Sequence, residues 1–472
     1  MGEIEALFAV LRRSADADAV AAIERLVREA PDRALNRINV LDFAAHHGLS
    51  EELTIAAFLH AARIGLFDLS WNVLCPGCGS VLDATATLKS VQRESYPCSL
   101  CAADCEPILD EIVEVTFTVS PRIRHIAAHD PGSLPIWEYH RQIFWGSAVD
   151  FPEEGIEALA EQLTLDYVEL PPGEKAVLSL QLPAEAVIVL EPVTHSVYFI
   201  EVGGEPTRER QHISMVFNKV QPLTETQALR PGPLRLSLDN RTEMRVLPAV
   251  WVADSRLHEI VSRRKPFMTA KRLLSNQTFR DLYQTEMLDV DQRLKITSLT
   301  FLFTDLKGST DLYERVGDLD AFNLVRSHFR VLLDIVAAEA GAVVKTIGDA
   351  VMATFPTPDR AISAALRMRE AMSKLNSAHG RQDLLLKIGV HEGPCLAVLL
   401  NDRQDYFGQT VNVASRVRSM ADTTAIVATD SVVQDPHVAE VLERSGLRPA
   451  PREVVLRGLA RKVSVYEIPY ID

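Results

Sequence analysis

A multidomain chain of mixed α+β and α/β class is predicted by three features of the sequence: a helical stretch at the start, a β-rich middle, and a final segment in which strand-like and helix-like runs alternate. The chain has 472 residues, 47% of them hydrophobic, enough for roughly two to four domains that each bury a core.

Residues 1–72 read as a helical, helix-turn-helix-like region, because apolar positions recur at three- and four-residue spacing in IEALFAVLRR, AVAAIERLVREA and ELTIAAFLHAARIGLF. His47-Gly48-Leu49-Ser50 interrupts the pattern. Ser50 is expected as an N-cap ahead of Glu51 and Glu52, and His46 and His47 as solvent-facing cations in a last turn. Residues 109–262 change character. EIVEVTFTV, AVLSLQL, AVIVLEPV, SVYFIEV and LRLSLDN are short β-type runs broken by Pro and Gly, the pattern of an antiparallel sheet or sandwich and of a regulatory unit. Residues 263–296 start basic, RRKPFMTAKRLL, and continue into the helix-like TFRDLYQTEML, which reads as a helical connector. Residues 297–472 alternate: LTFLFTD, AFNLVRSHFRVLLDIVAAEA, AVVKTIGDAVMATF, RAISAALRMREAMSKLN and LLLKIGVHEG predict helices packed on a mixed sheet, whose first strand opens at about residue 299.

Between the helices and the β-rich unit, residues 73–108 hold five of the six cysteines. Cys75-Pro-Gly-Cys78 and Cys98-Ser-Leu-Cys101 are CxxC pairs separated by 19 residues, the spacing of a four-thiolate structural Zn²⁺ ribbon. Cys105 is left over as a small hydrophobe. Helices beside a zinc ribbon suggest a nucleic-acid partner, but they carry few basic residues and the ribbon almost none, so phosphate contacts are scarce. A regulatory or protein-contact module is the expectation, with an unknown small molecule or protein as its partner.

Net charge supports the same exclusion. Lys and Arg number 49 against 64 Asp and Glu, a formal −15, so a polyanion has to be met by a local device such as metal ions or backbone amides. No run of 18 apolar residues exists, and MGEIEALFAVLRRSADADAV lacks a basic leader with a cleavable apolar core. A cytoplasmic protein with no membrane partner is expected.

Two aspartates stand out in the last segment. In FTDLKGST, Asp305 ends an apolar strand before a small, hydroxyl-rich turn; in VKTIGDAVMATF, Asp349 follows Gly348 at the tip of a tight hairpin. Carboxylates meeting at one sheet end suit a pair of Mg²⁺ or Mn²⁺ ions about 3.5–4 Å apart. In isolation Asp305 reads as a helix cap and Asp349 as a turn residue. A third segment, DYFGQTVNVASR, adds Asn412 and Arg416 four residues apart on one helix face, an amide and a fixed cation for phosphoryl chemistry.

FTDLKGST, VKTIGDAVMATF, KIGVHEG and DYFGQTVNVASR, in this order, resemble the catalytic domain of the class III nucleotidyl cyclases over residues 297 to 468. The resemblance implies a ferredoxin-like type of domain and an adenylate cyclase, which converts ATP to 3′,5′-cyclic AMP and pyrophosphate. It implies that Asp305 and Asp349 hold two Mg²⁺ or Mn²⁺ ions per active site, that Lys345 and Asp405 read the base, that Asn412 orients the ribose and that Arg416 stabilises the transition state. It places Arg457 at the terminal phosphates, with Arg461 and Lys462 as neighbouring candidates. It also implies a homodimer with shared sites, one copy lending both aspartates and Lys345, the other Asp405, Asn412 and Arg416. Leu306-Lys307 and Phe407 depart from the usual pattern without touching these roles. The alternatives are a cyclase of GTP or a pyrimidine nucleotide, and a nonenzymatic nucleotide-sensing regulator that binds DNA or protein.

Overall fold

The computed structural model describes residues 2–151, 155–218, 224–283, 292–308, 314, 317–378, 380, 382, 384–400, 403–421, 425–455 and 462–469. The chain divides into two compact units, Met1–Pro107 with Glu111–Met268, and Ile108–Asp110 with Thr269–Asp472.

The first unit opens with helices α1 (Gly2–Ser14), α2 (Ala17–Glu29), α3 (Val40–His47) and α4 (Glu51–Arg63). The Asp16 side chain accepts the first free N–H groups of α2, and Asn39 Oδ1 does the same for α3 at 3.1 and 3.3 Å. Ser50 occupies the N-cap of α4, yet its side chain makes no capping bond. The periodic apolar faces are buried through Phe8, Leu11, Ile23, Val27, Ile55 and Phe58, each worth about 1.5–3 kcal/mol when removed from water.

The helical region ends earlier than its residue pattern suggests. Strand β1 (Phe67–Leu74) already begins at Phe67 and forms the centre of an antiparallel sheet, between β2 (Val81–Thr85) and β5 (Val113–Val119). Trp71 and Val73 anchor it in the core. The cysteine knuckle leaves the end of β1, and β3 (Tyr96–Cys98) pairs with β4 (Ala103–Cys105) to carry the second CxxC.

The β-rich region folds as a sandwich. One sheet holds β7 (Lys175–Leu182), β10 (Gln211–Phe217) and β12 (Gly232–Asn240); the other holds β6 (Thr164–Tyr167), β8 (Val187–Glu191), β9 (Ser196–Val202), β11 (Thr224–Leu229) and β13 (Ala249–Val252). One core lies between them, with Leu180 and Phe217 from the first sheet and Val189 and Ile200 from the second. Two pairings, β9 with β11 and β10 with β12, are parallel. From β9 to β12 the chain alternates between the sheets, and alternate strands joined by crossovers run in the same direction.

The second unit is built on an eight-stranded sheet of order β15-β16-β14-β17-β19-β21-β20, with β18 paired to β17. The strands are β14 (Leu294–Leu306), β15 (Ala342–Ile347), β16 (Ala350–Phe355), β17 (Leu386–Leu400), β18 (Arg403–Phe407), β19 (Ala425–Thr429), β20 (Ala450–Val455) and β21 (Lys462–Pro469). Helices Asp318–Ala338 and Pro358–Ala378 bury Leu332, Val336, Ala361, Ala365 and Met368 against Leu302, Ala353 and Ile388. The first strand starts at Leu294, ahead of the expected residue 299, and a bulge after Ile296 resets its register. Of the connector, the helices Ala270–Leu274 and Gln277–Leu282 belong to this unit.

Candidate active site

Asp305 and Asp349 come to the same end of neighbouring antiparallel strands. In the β14–β16 ladder Phe303 faces Met352, so continuing the register by two residues sets Asp305 opposite Ala350, beside Asp349. Thr304 Oγ1 accepts the Val351 N–H at 3.2 Å and fixes this end of the ladder. Oδ2 of Asp349 is buried without a hydrogen-bond partner. Burial lowers the nearby His328 to about 4, with the Asp349 backbone and charge opposing the shift. Two carboxylates at one end of the sheet, one of them with a buried unpartnered oxygen, are hard donors of the kind that fits Mg²⁺ or Mn²⁺.

The helix Gln409–Met420 buries Thr410, Val413, Ala414 and Val417. It lies so close to β17 that a Cβ on Gly389 would sit 2.2 Å from the Arg418 backbone nitrogen, so no larger residue fits there. With about 100° per residue, Asn412 and Arg416 lie within about 40° of one another, Asn412 opposite this buried face and Arg416 on its flank. Asn412 is exposed and Arg416 half-buried. Arg418 falls on the flank of the buried face, and its Nη1 stands 3.5 Å from Asp305 Oδ1. One chain therefore sets its own Arg418, not Arg416, against its own Asp305.

Lys345 and Asp405 meet directly. Lys345 Nζ donates to Asp405 Oδ2 at 2.5 Å, and Asp405 Oδ1 accepts its neighbour's Tyr406 N–H at 2.9 Å. The expected division, with Lys345 from one copy and Asp405 from the other, is corrected by this contact: both come from one chain. Arg280 accounts for it. Buried in the helix Gln277–Leu282, its Nη2 donates to the carbonyls of Val344 at 3.4 Å and Gln404 at 3.0 Å, the residues just before Lys345 and Asp405. Gln277 Oε1 adds a bond from the Val343 N–H at 2.8 Å. Arg280 lies in a segment whose pattern indicates only a helical connector, and Arg418 lies one half-turn beyond Arg416; neither residue has a local signal, since their roles arise from packing.

Arg457 lies outside the described residues, as does Arg461. Lys462 is exposed and paired with Glu453 at 2.9 Å.

In the first unit the four thiol sulfurs of Cys75, Cys78, Cys98 and Cys101 lie within 4.8 Å of one another, and those of Cys78 and Cys98 are 3.6 Å apart. A tetrahedral ion with bonds of about 2.3 Å needs sulfurs at such separations. A Cβ on Gly77 would approach Cys101 Sγ to 2.8 Å, so glycine keeps the knuckle closed. Hydrogen bonding from Cys101 lowers the Cys98 thiol to about 7, and the same thiol also lowers Cys75. Hydrogen bonding within the cluster raises the Cys78 and Cys101 thiols, so a structural zinc would have to displace their protons to be held by four thiolates. Cys105 is buried, and desolvation pushes its thiol up to about 12.

Residues 292–458 match the adenylate and guanylate cyclase catalytic domain, so the second unit carries a class III nucleotidyl cyclase domain. Through residues 1–281 the chain belongs to a family of unknown function, DUF5939. Among characterised relatives, an adenylate cyclase of Anabaena cylindrica is 29% identical over 185 residues, 36% of this chain and 36% of that protein. One of Streptomyces griseus is 33% identical over 160 residues, 34% of this chain and 35% of that protein. Guanylate cyclase 32E of Drosophila melanogaster is 29% identical over 148 residues, 29% of this chain and 13% of that protein. The chain thus spans about a third or less of the length of these relatives. The crystal structure of the adenylyl cyclase CyaB from P. aeruginosa covers 38% of this chain and 97% of its own, at 22% identity and a TM-score of 0.34. Among the described residues no helix is long and apolar enough to cross a membrane.

Proposed function

We propose that the chain is an adenylate cyclase that forms 3′,5′-cyclic AMP and pyrophosphate from ATP in a homodimer with two shared sites. The observation that carries the choice of ATP is the Lys345–Asp405 pair. A carboxylate accepts from the exocyclic amine of adenine and is repelled by the carbonyl of guanine, while the ammonium donates to a ring nitrogen.

Asp305 and Asp349 would hold Mg²⁺ or Mn²⁺, which lowers the pKa of the ribose 3′-hydroxyl and balances the charge of departing pyrophosphate. The 3′-oxygen forms its bond to the α-phosphorus as the bond to the β-bridging oxygen breaks, and its proton is released. Asn412 orients the ribose, and Arg416 meets the charge that gathers on the α-phosphate oxygens. Because Asn412 is exposed on the side away from the buried face and Arg416 follows one turn later on its flank, a twin chain is their natural recipient. We assign the zinc ribbon a structural role and the leading unit a regulatory one. The docking of residues 269–282 beneath Lys345 and Asp405 supports regulation at the base-reading pair.

The test is turnover by the purified chain with Mn²⁺ and each of ATP, GTP, CTP and UTP in turn, products resolved by chromatography. Cyclic AMP as the main product is expected. Cyclic GMP as the main product would replace the substrate assignment, and no product from any nucleotide would favour a nonenzymatic sensor. Metal analysis should return zinc stoichiometric with the chain.

A further inference from the structure

A cavity of about 460 Å³ opens in the first unit, between the segment that runs from α2 through α3 and the residues around 141–151. Its wall carries four permanently cationic side chains, Arg33, Arg37, Arg141 and Lys265, against one carboxylate, Asp42. Lys265 is already balanced by Asp42 at 3.6 Å and Asp150 at 3.4 Å, and Asp42 also faces His46 at 3.7 Å. The three arginines form no ion pair among the described residues. Arg37 Nη1 donates to the Ile143 carbonyl at 2.5 Å, which leaves most of its fork free. Burial lowers the Arg37 guanidinium from its usual range, with Glu114 behind the wall opposing the shift; burial raises the Glu114 carboxyl, whose oxygens are taken by Asn72 Nδ2 and Ser147 Oγ. In a chain with a formal charge of −15, unpaired guanidinium groups around one concavity are a specific arrangement.

The backbone supports the same conclusion. Arg37 adopts φ 45°, a left-handed conformation that a residue with a side chain takes only at a cost of about 1–2 kcal/mol. Bonds from the Arg37 N–H to Thr118 Oγ1 at 3.0 Å and from Asn36 Nδ2 to the Gln142 carbonyl at 2.8 Å hold it there. Beside the cations the wall is apolar and aromatic, with Phe43 tilted against His47 at a centroid distance of 4.5 Å, and with Phe151.

We propose that this cavity binds a small organic phosphate, the phosphate monoester held by Arg33, Arg37 and Arg141 and the organic ring against Phe43 and Phe151. A carboxylate brings two oxygens and one charge, too few for three guanidinium forks. A phosphate monoester brings three terminal oxygens and nearly two charges. The volume suits a ligand of metabolite size. The site stands apart from the cyclase chemistry and does not depend on it.

Calorimetric titration of the full-length chain with phenyl phosphate tests the proposal, with inorganic phosphate, benzoate and the neutral phenyl glucoside as comparators. Saturable binding at one site per chain is expected, weakened about tenfold or more by Arg33→Met and by Arg141→Met, as loss of a charge-assisted bond implies. Asp349→Ala should leave it unchanged. Both arginines reach solvent, so their replacement leaves the fold intact, and Arg37→Lys adds a conservative third variant. The absence of saturable phenyl phosphate binding would overturn the proposal. So would arginine variants that bind like the parent, loss of binding in Asp349→Ala, or benzoate or phenyl glucoside binding as tightly as phenyl phosphate.

Discussion

Lys345 and Asp405, sixty residues apart in the chain, form an ion pair at 2.5 Å in which the carboxylate is nearly buried and the ammonium half-exposed. The asymmetry sets their separate contributions. Asp405→Ala removes an acceptor for the adenine amine and should cut kcat/KM for ATP by about 10- to 100-fold while sparing GTP, the effect of one charge-assisted hydrogen bond. Lys345→Ala also strands a buried carboxylate, so it should lower thermal stability as well as turnover, whereas Lys345→Met with Asp405→Leu should recover stability without recovering turnover. Steady-state kinetics with both nucleotides and thermal melts separate these effects.

Arg280 ties the backbone ahead of Lys345 to the backbone ahead of Asp405, and it acts as a positioning residue. Arg280→Met leaves two carbonyls without their shared donor and should cost about 1–3 kcal/mol of stability. Arg280→Lys, lacking the planar fork, should restore most of that stability while discriminating ATP from GTP less well. Mn²⁺ affinity should not move in either variant, which distinguishes positioning of the base readers from general damage.

Arg418 lends Asp305 a positive charge from its own chain at 3.5 Å. A divalent ion at Asp305 has to compete with that guanidinium. Arg418→Gln should therefore tighten Mn²⁺ binding about two- to fivefold, the range of a partly exposed ion pair, and Asp305→Asn should weaken it sharply. Electron paramagnetic resonance of free Mn²⁺ reads both without nucleotide.

His140 is fully buried beside Trp137, Phe144 and Trp251, neither ring nitrogen has a hydrogen-bond partner, and desolvation lowers it to about 3 from an ordinary 6.5. The unfolded chain takes up this proton once pH falls below 6.5, while the folded chain resists until about 3. Its share of stability is whole above pH 6.5 and drains away between 6.5 and 3, at about 1.4 kcal/mol per pH unit. His140→Phe should flatten that slope in urea unfolding of the full chain at graded pH.

What the sequence discloses follows from how local each feature is. Asp305 and Asp349 are ordinary cap and turn residues when read singly and stand out only through the resemblance of the motifs that hold them, whereas the CxxC pairs point to the thiol cluster by spacing alone. Arg280 carries no such mark, since its partners lie 64 and 124 residues further on. The same holds for Lys345 and Asp405: each is visible, but their meeting within one chain depends on Arg280 and on the β18 edge. The parallel pairs β9–β11 and β10–β12 escape a pattern reading because alternation along a strand reveals its faces and not its neighbours. The cavity's three arginines are spread between positions 33 and 141 and its wall between 26 and 265, so no window of sequence contains it.

Cyclic AMP release from ATP and Mn²⁺ by an equal mixture of Asp349→Ala and Arg416→Ala chains tests the shared site most directly. Each variant alone should be inactive. Random exchange of subunits should give mixed dimers with one intact site, returning about a quarter of the parent activity. A mixture that stays as silent as its components after exchange has been verified would contradict the account.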